Sequence, residues 1–137
     1  MSENINIGKF SEALNNKEDR DLKNTDTGSG ADAVVGYQVP TVDNSYTWYR
    51  KYASGWVEQG GNIPHYNSDQ KITVNLPVTM ADTNYFISRD PISPGTSGTT
   101  DVYWGGAYSL AVNSFDCYVS SVTGTYYRWE VKGMAQG

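Results

Sequence analysis

The run 48–61 constrains the fold of this chain more than any other segment. Aromatic and polar residues alternate up to Tyr52, the small residues at 53–55 interrupt the pattern, and a second segment begins at Trp56. Two such segments, joined by a short connection that contains glycine, are typical of a β-hairpin. We therefore predict a hairpin whose second strand stops at Gly60-Gly61.

Later segments repeat this period-2 alternation, which is the pattern of half-buried strands. The alternating sets are Ile72, Val74 and Leu76 against Lys71, Thr73 and Asn75, and Tyr127, Trp129 and Val131 against Arg128, Glu130 and Lys132. Segments 105–112 and 115–122 predict two more strands, joined at Asn113-Ser114, and Gly124-Thr125 predicts the turn into the last strand. Six or seven strands at this spacing predict a small antiparallel β-sandwich, with no βαβ pattern anywhere.

Composition agrees with a β protein and excludes several partners. The chain has 137 residues, enough for one domain, and its apolar content is weighted toward 11 tyrosines and 4 tryptophans. The formal charge is −5, and no basic run is present, so we expect neither nucleic acid nor an anionic membrane as a partner. The single cysteine, Cys117, cannot form an internal disulfide, and its apolar surroundings predict a buried thiol.

The composition changes once along the chain, near Asn44. Residues 1–44 are polar and predict an N-terminal attachment arm, in which 25–30 resembles a linker and 11–22 could form a short helix. A disordered leader is the equal alternative, because an isolated helix of that length is unstable in water. Residues 45–137 carry the β alternation. With no bilayer-length apolar stretch and no signal-peptide pattern, we expect no membrane insertion and synthesis in the cytoplasm.

No catalytic constellation is evident, and we expect no enzymatic activity. His65 is the only histidine and lies in a polar segment without a nucleophile signature, so a surface position is the simpler interpretation. Zinc-type ligand spacing and phosphate-binding loops are absent from the sequence, so no metal or cofactor is expected. A glycosidase carboxylate pair stays open, since such residues can come from any part of a fold.

Binding residues are better represented, above all in the long connection 89–101 and the residues after it. Aromatic rings stack on the C–H faces of sugars, while carboxylates and guanidinium groups hold the hydroxyls. The glycan-binding candidates are Arg89, Asp101, Tyr103 and Trp104, with His65, Tyr66 and Asp69 in a second candidate loop. Trp104 could equally pack in the sandwich. For Trp48, Trp56 and Trp129, which lie in predicted strands, a core or subunit-interface position is favoured.

Several segments resemble the C-terminal domain of bacteriophage and prophage tail-fibre proteins, an H-type-lectin-like β-sandwich. The resemblance extends from Trp48 to about Val131. It rests on the hairpin 48–61, the strand 71–77 with 84–87, and the closing segment 126–133, and the segment 7–22 is similar to one found ahead of variable fibre tips. These motifs are specific for the family and do not identify a receptor.

The resemblance implies a phage or prophage virion fibre or adhesin that binds a receptor, with a host-cell surface glycan as the expected ligand. It also implies a homotrimer, attachment to other virion proteins through the arm, and a location in the virion. The alternative class is a structural virion protein without a receptor site, such as a capsid decoration, head-fibre or baseplate component. A small polysaccharide depolymerase is the third and least supported alternative.

Overall fold

Two antiparallel β-sheets pack around one apolar core. A computed structural model describes residues 30–93, 106–121 and 124–137. These ranges hold eight strands and one 3₁₀ turn, Val42–Asn44. The strands are β1 (Val34–Gln38), β2 (Trp48–Tyr52), β3 (Trp56–Ile63), β4 (Gln70–Asn75), β5 (Phe86–Ile92), β6 (Tyr108–Ala111), β7 (Ser114–Val119) and β8 (Tyr126–Met134).

The strands form a five-stranded sheet in the order β1-β2-β3-β8-β5 and a three-stranded sheet in the order β4-β7-β6. Every pairing is antiparallel, so the predicted all-β antiparallel sandwich is confirmed. The described residues hold eight strands, one more than the upper figure of seven that was expected. The additional strand is β1, which pairs with β2 between Val34↔Tyr52 and Gln38↔Tyr49 and so brings into the sheet residues that composition assigned to the arm. The predicted helix at 11–22 lies outside the described residues.

The predicted alternation sets the two faces of β4 and β8. In β8, Tyr127, Trp129 and Val131 are buried, whereas Arg128 is exposed. In and after β4, Val74 and Leu76 are buried while their neighbours along the chain face solvent. Each fully buried side chain of this size contributes about 1.5–3 kcal/mol relative to an exposed one.

Aromatic packing links the two sheets through the core. Phe115 of β7 meets Trp129 of β8 edge to face, with ring centroids 6.0 Å apart and an interplanar angle of 73°. Such a pair adds about 0.5–1.5 kcal/mol beyond its buried area. Cys117 lies in the same core at 1% exposure, as predicted. Burial raises the pKa of the Cys117 thiol, which keeps the sulfur protonated and unreactive at neutral pH.

One buried amide sits among these apolar groups. Gln59 of β3 is 0% exposed, and its Nε2 donates to the Val78 carbonyl at 3.0 Å while its Oε1 accepts the Val78 N–H at 2.9 Å. Nε2 also lies 3.1 Å from the Met80 sulfur. Because a buried polar group is costly without partners, this pairing fixes the connection between β4 and β5 against β3.

The prediction that β3 stops at Gly60-Gly61 is wrong, because the strand continues to Ile63. Both glycines are buried strand residues. A Cβ on Gly60 would lie 2.6 Å from the Trp129 carbonyl oxygen and 2.7 Å from Trp48 Nε1, and one on Gly61 would lie 3.0 Å from Trp129 Nε1. Glycine within a strand often marks a close approach by another group. Here the glycines make room for two indole rings.

We expect Gly60→Ala to lower the free energy of unfolding by about 1–3 kcal/mol, because the new methyl group must displace a backbone carbonyl and an indole. Gly36→Ala in β1 is the matched control, since a Cβ there has its nearest neighbour, Tyr49 Cε2, at 3.8 Å. Urea denaturation of both variants measures the difference. Equal stability of the two variants would contradict the close packing at Gly60.

Candidate ligand-binding groove

The outward face of the five-stranded sheet gathers polar and aromatic side chains in two adjacent rows. Cross-strand register gives the first row as Trp48–Gly60–Glu130–Ser88 and the second as Asn62–Arg128–Asp90. Residues that are directly opposite on neighbouring strands share a face of the sheet. Since Tyr127, Trp129 and Val131 turn toward the core, Arg128 and Glu130 between them lie on the opposite face.

Two adjoining cavities open on this face and together form what we call the groove. The Trp48 cavity has a volume of about 470 Å³. It is lined by Pro40, Tyr46, Trp48, Gly61, Asn62, Ser88, Asp90, Arg128, Trp129 and Glu130. The His65 cavity has a volume of about 530 Å³. It is lined by Val42, Ser45, Tyr46, Asn62, Pro64, His65, Tyr126 and Arg128. Tyr46, Asn62 and Arg128 line both, so the two cavities share one wall.

A strained turn places Tyr46 on that shared wall. Ser45 and Tyr46 both have φ = 56°, a left-handed conformation that is uncommon for residues other than glycine. The side chain of Asn44 stabilises the turn: its Oδ1 accepts the N–H groups of Thr41 at 2.9 Å and Thr47 at 3.0 Å, and its Nδ2 donates to the Val39 carbonyl at 3.0 Å. Strained backbone of this kind is often found at binding sites.

Trp48 supplies a flat aromatic surface to the groove. Its indole lies against Gly60, where a side chain would collide with Nε1 and Cε2, and the ring is half-buried rather than part of the core. In the described ranges, no protein acceptor is hydrogen-bonded to its Nε1. The ring therefore keeps one face and one donor for another molecule.

The polar and charged side chains of this face differ in whether they have a protein partner. Lys132 Nζ lies 3.3 Å from Glu130 Oε1 and 3.6 Å from Glu58 Oε2. The hydrogen bond to Glu130, followed by its negative charge, raises the pKa of Lys132. The side chains of Asn62, Ser88 and Asp90, in contrast, form no hydrogen bond or ion pair with any described residue. Their donors and acceptors are available to a ligand.

Arg89, the first predicted glycan-binding residue, lies away from the groove. Its Nη1 donates to the Tyr118 carbonyl, and its guanidinium carbon is 4.7 Å from the centroid of the Tyr127 ring. Arg89 therefore joins β5 of one sheet to β7 of the other, a structural position. The other three predicted members of this group, Asp101, Tyr103 and Trp104, lie outside the described residues.

The structure separates the residues of the second candidate loop. His65 lines the His65 cavity, and its Nδ1 donates to the Thr125 carbonyl at 2.9 Å, which leaves Nε2 for another partner. Tyr66 instead packs against the core. Asp69 Oδ1 accepts the Ser121 N–H at 2.6 Å. Of these three, only His65 contributes to the groove.

Most of the residues that line the groove were not predicted from the sequence. The alternation of β8 indicated that Arg128 and Glu130 face outward, but no local pattern indicates that β3 and β5 flank β8 and bring Asn62 and Asp90 beside Arg128.

Asp90 and Glu130 place two carboxylates in the Trp48 cavity, although Glu130 is paired with Lys132. Within the described ranges, no group of three His, Cys, Asp or Glu side chains could hold a metal ion.

No helix in the described part of the chain is long and apolar enough to cross a membrane. Comparison of the chain with protein-family models, with curated proteins and with solved structures found no match in any of the three.

Proposed function

We propose that this chain is a fibre or adhesin protein of a phage or prophage virion, and that its groove binds a glycan of the host-cell surface. One observation carries the binding proposal. The groove places two aromatic side chains, Tyr46 and Trp48, beside polar side chains that have no partner among the described residues, namely Asn62, Ser88 and Asp90.

This combination suits a sugar better than most other ligands. A sugar ring presents apolar C–H surfaces that stack on aromatic faces, and hydroxyl groups that need both donors and acceptors. Trp48 provides the face, Asp90 an acceptor, and Asn62 both kinds of group. The groove is open and partly polar, so a hydrated glycan chain can enter from solvent and extend beyond it.

The resemblance to phage tail-fibre domains supports the virion assignment. The segments 48–61 and 126–133, which carry much of that resemblance, form β2, β3 and β8 at the centre of the five-stranded sheet. These strands also carry Trp48, Asn62 and Arg128 of the groove. The segments on which the resemblance rests therefore supply part of the proposed site, including Trp48 and Arg128.

A homotrimer attached to other virion proteins through the N-terminal arm completes the proposal. Three sites held on one particle increase the effective affinity by orders of magnitude, because the second and third binding events become intramolecular. A shallow groove with weak affinity for a single glycan is then sufficient for adsorption.

We expect Tyr46→Asn to weaken glycan binding by at least about tenfold, equivalent to roughly 1.4 kcal/mol. Asparagine tolerates the left-handed backbone of this position, so the variant removes the ring while the turn is kept. Tyr118→Asn is the matched control, since Tyr118 lies on the other sheet at 46% exposure, against 47% for Tyr46. Binding to an array of bacterial surface glycans, followed by calorimetry on the glycans that bind, measures the effect.

Unchanged affinity in Tyr46→Asn, with melting temperatures equal to that of the native protein, would remove the groove from the proposal. Failure of the native protein to bind any glycan on the array would reject the adhesin function.

A structural virion protein is the second candidate, and the edge strand β1 favours it. Val35, Tyr37 and Val39 on and beside this strand are 61%, 64% and 59% exposed, and the strand carries no charged side chain. Exposed apolar edge strands tend to pair with other chains unless charges or proline protect them. In a structural protein this edge would join protomers, and the groove would have no ligand.

Both candidates share the expectation of a trimer, so light scattering coupled to gel filtration should give three times the 15.1 kDa chain mass. Tyr37→Lys should lower the trimer fraction if β1 is a protomer contact, because the ammonium group must be desolvated in the interface. Phe86→Lys, at a 71% exposed position on β5, is the control. A monomer at micromolar concentration would reject the trimer, and a trimer without glycan binding would favour the structural candidate.

A further inference from the structure

We infer that the groove is electrostatically polarised, and that its His65 cavity binds a monoanionic substituent of a glycan, a carboxylate or a phosphodiester. This inference rests on the proposed glycan function and names the ligand class more closely. The two cavities share Arg128 but differ in their acidic residues. The Trp48 cavity is lined by two carboxylates, Asp90 and Glu130, whereas no carboxylate is among the described residues that line the His65 cavity.

The formal charge of the His65 cavity comes from Arg128. The chain has a formal net charge of −5, so a cavity with a cationic lining and no described carboxylate is opposite in sign to the molecule as a whole. His65 adds a ring whose Nδ1 donates to the Thr125 carbonyl, so its Nε2 is left to form a hydrogen bond with a ligand.

Arg128 has no carboxylate partner among the described residues. Its cross-strand neighbours are Asn62 and Asp90, yet no ion pair within 4.0 Å joins Arg128 to Asp90. The guanidinium carbon lies instead 6.0 Å from the centroid of the Tyr126 ring. A guanidinium presents a planar fork of donors that matches a carboxylate or a phosphate oxygen pair, and a neighbouring aromatic ring leaves that fork free.

Because of this difference in charge, the two ends of the groove favour different sugars. Asp90 disfavours an anion in the Trp48 cavity but can accept hydrogen bonds from sugar hydroxyl groups, so a neutral sugar suits that end, where it stacks on Trp48. An acidic sugar suits the other end, where Arg128 of the shared wall has no carboxylate beside it in the described lining. The groove therefore favours a neutral and an acidic sugar in sequence, bound in one orientation.

The test compares three glycan probes with the full-length protein by calorimetry. They are an oligosaccharide with alternating neutral sugars and hexuronic acids, the same oligosaccharide after reduction of its carboxyl groups to primary alcohols, and a teichoic-acid fragment with phosphodiesters. We expect the native protein to bind an anionic probe at least about tenfold more tightly than the reduced one, and added salt to lessen that preference. The comparison of the first and third probes distinguishes carboxylate from phosphodiester.

Arg128→Gln should remove this preference, so that the variant binds the anionic and the reduced probe with equal affinity. Arg128→Lys, which keeps the charge without the fork, should give an intermediate preference. Arg50→Gln is the matched control: Arg50 is an exposed arginine on the same sheet face, outside both cavities, and its substitution should leave the preference unchanged.

Equal binding of the anionic and reduced probes by the native protein would overturn the inference while leaving a neutral-glycan adhesin in place. A preference that survives in Arg128→Gln, at an unchanged melting temperature, would also overturn it. Absence of binding to all three probes would overturn it too, and absence of binding across the glycan array would reject the proposed function itself.

Discussion

Two indole rings pack on opposite sides of the dipeptide Gly60-Gly61, and both the core and the groove depend on this packing. Trp48 lies against Gly60 on the outward face, and Trp129 lies beside Gly61 on the core side. Trp129 of β8 also contacts Phe115 of the second sheet. The packing of the two sheets therefore depends on the space that Gly61 of β3 leaves for the Trp129 ring. Because β3 lies in the middle of the five-stranded sheet, a side chain at either glycine would disturb the core and the groove together.

The two faces of that sheet satisfy different physical requirements. The inner face is apolar, and its buried amide, Gln59, has both of its polar atoms bonded. The outward face leaves groups such as Asn62 and Asp90 without a partner among the described residues, which costs little because water solvates them. A ligand can replace that water. The strained turn at Tyr46, held by Asn44, supplies part of the wall that the two cavities share.

Local sequence patterns predicted the individual strands better than they predicted which strands lie next to each other in the sheet. The alternation in 126–131 correctly indicated which side chains of β8 are buried, and the small residues at 53–55 correctly placed the turn between β2 and β3. The same logic failed at Gly60-Gly61, where glycine usually marks a turn but here serves packing. The residues of β1 were assigned to the arm because this short segment, which contains glycine and glutamine, has only a weak alternation. Its strand conformation depends on pairing with β2.

The sequence by itself determined the all-β class, the burial of Trp129 and Cys117, and the outward direction of Arg128 and Glu130, because period-2 alternation and burial are local properties of a strand. Tertiary structure alone decided that Asn62, Arg128 and Asp90 meet in one row, since they come from three strands that are distant in sequence. It also placed the Arg89 side chain across the two sheets, against the Tyr118 carbonyl and the Tyr127 ring. Strand order is set by the packing of whole faces, and no single segment carries that information.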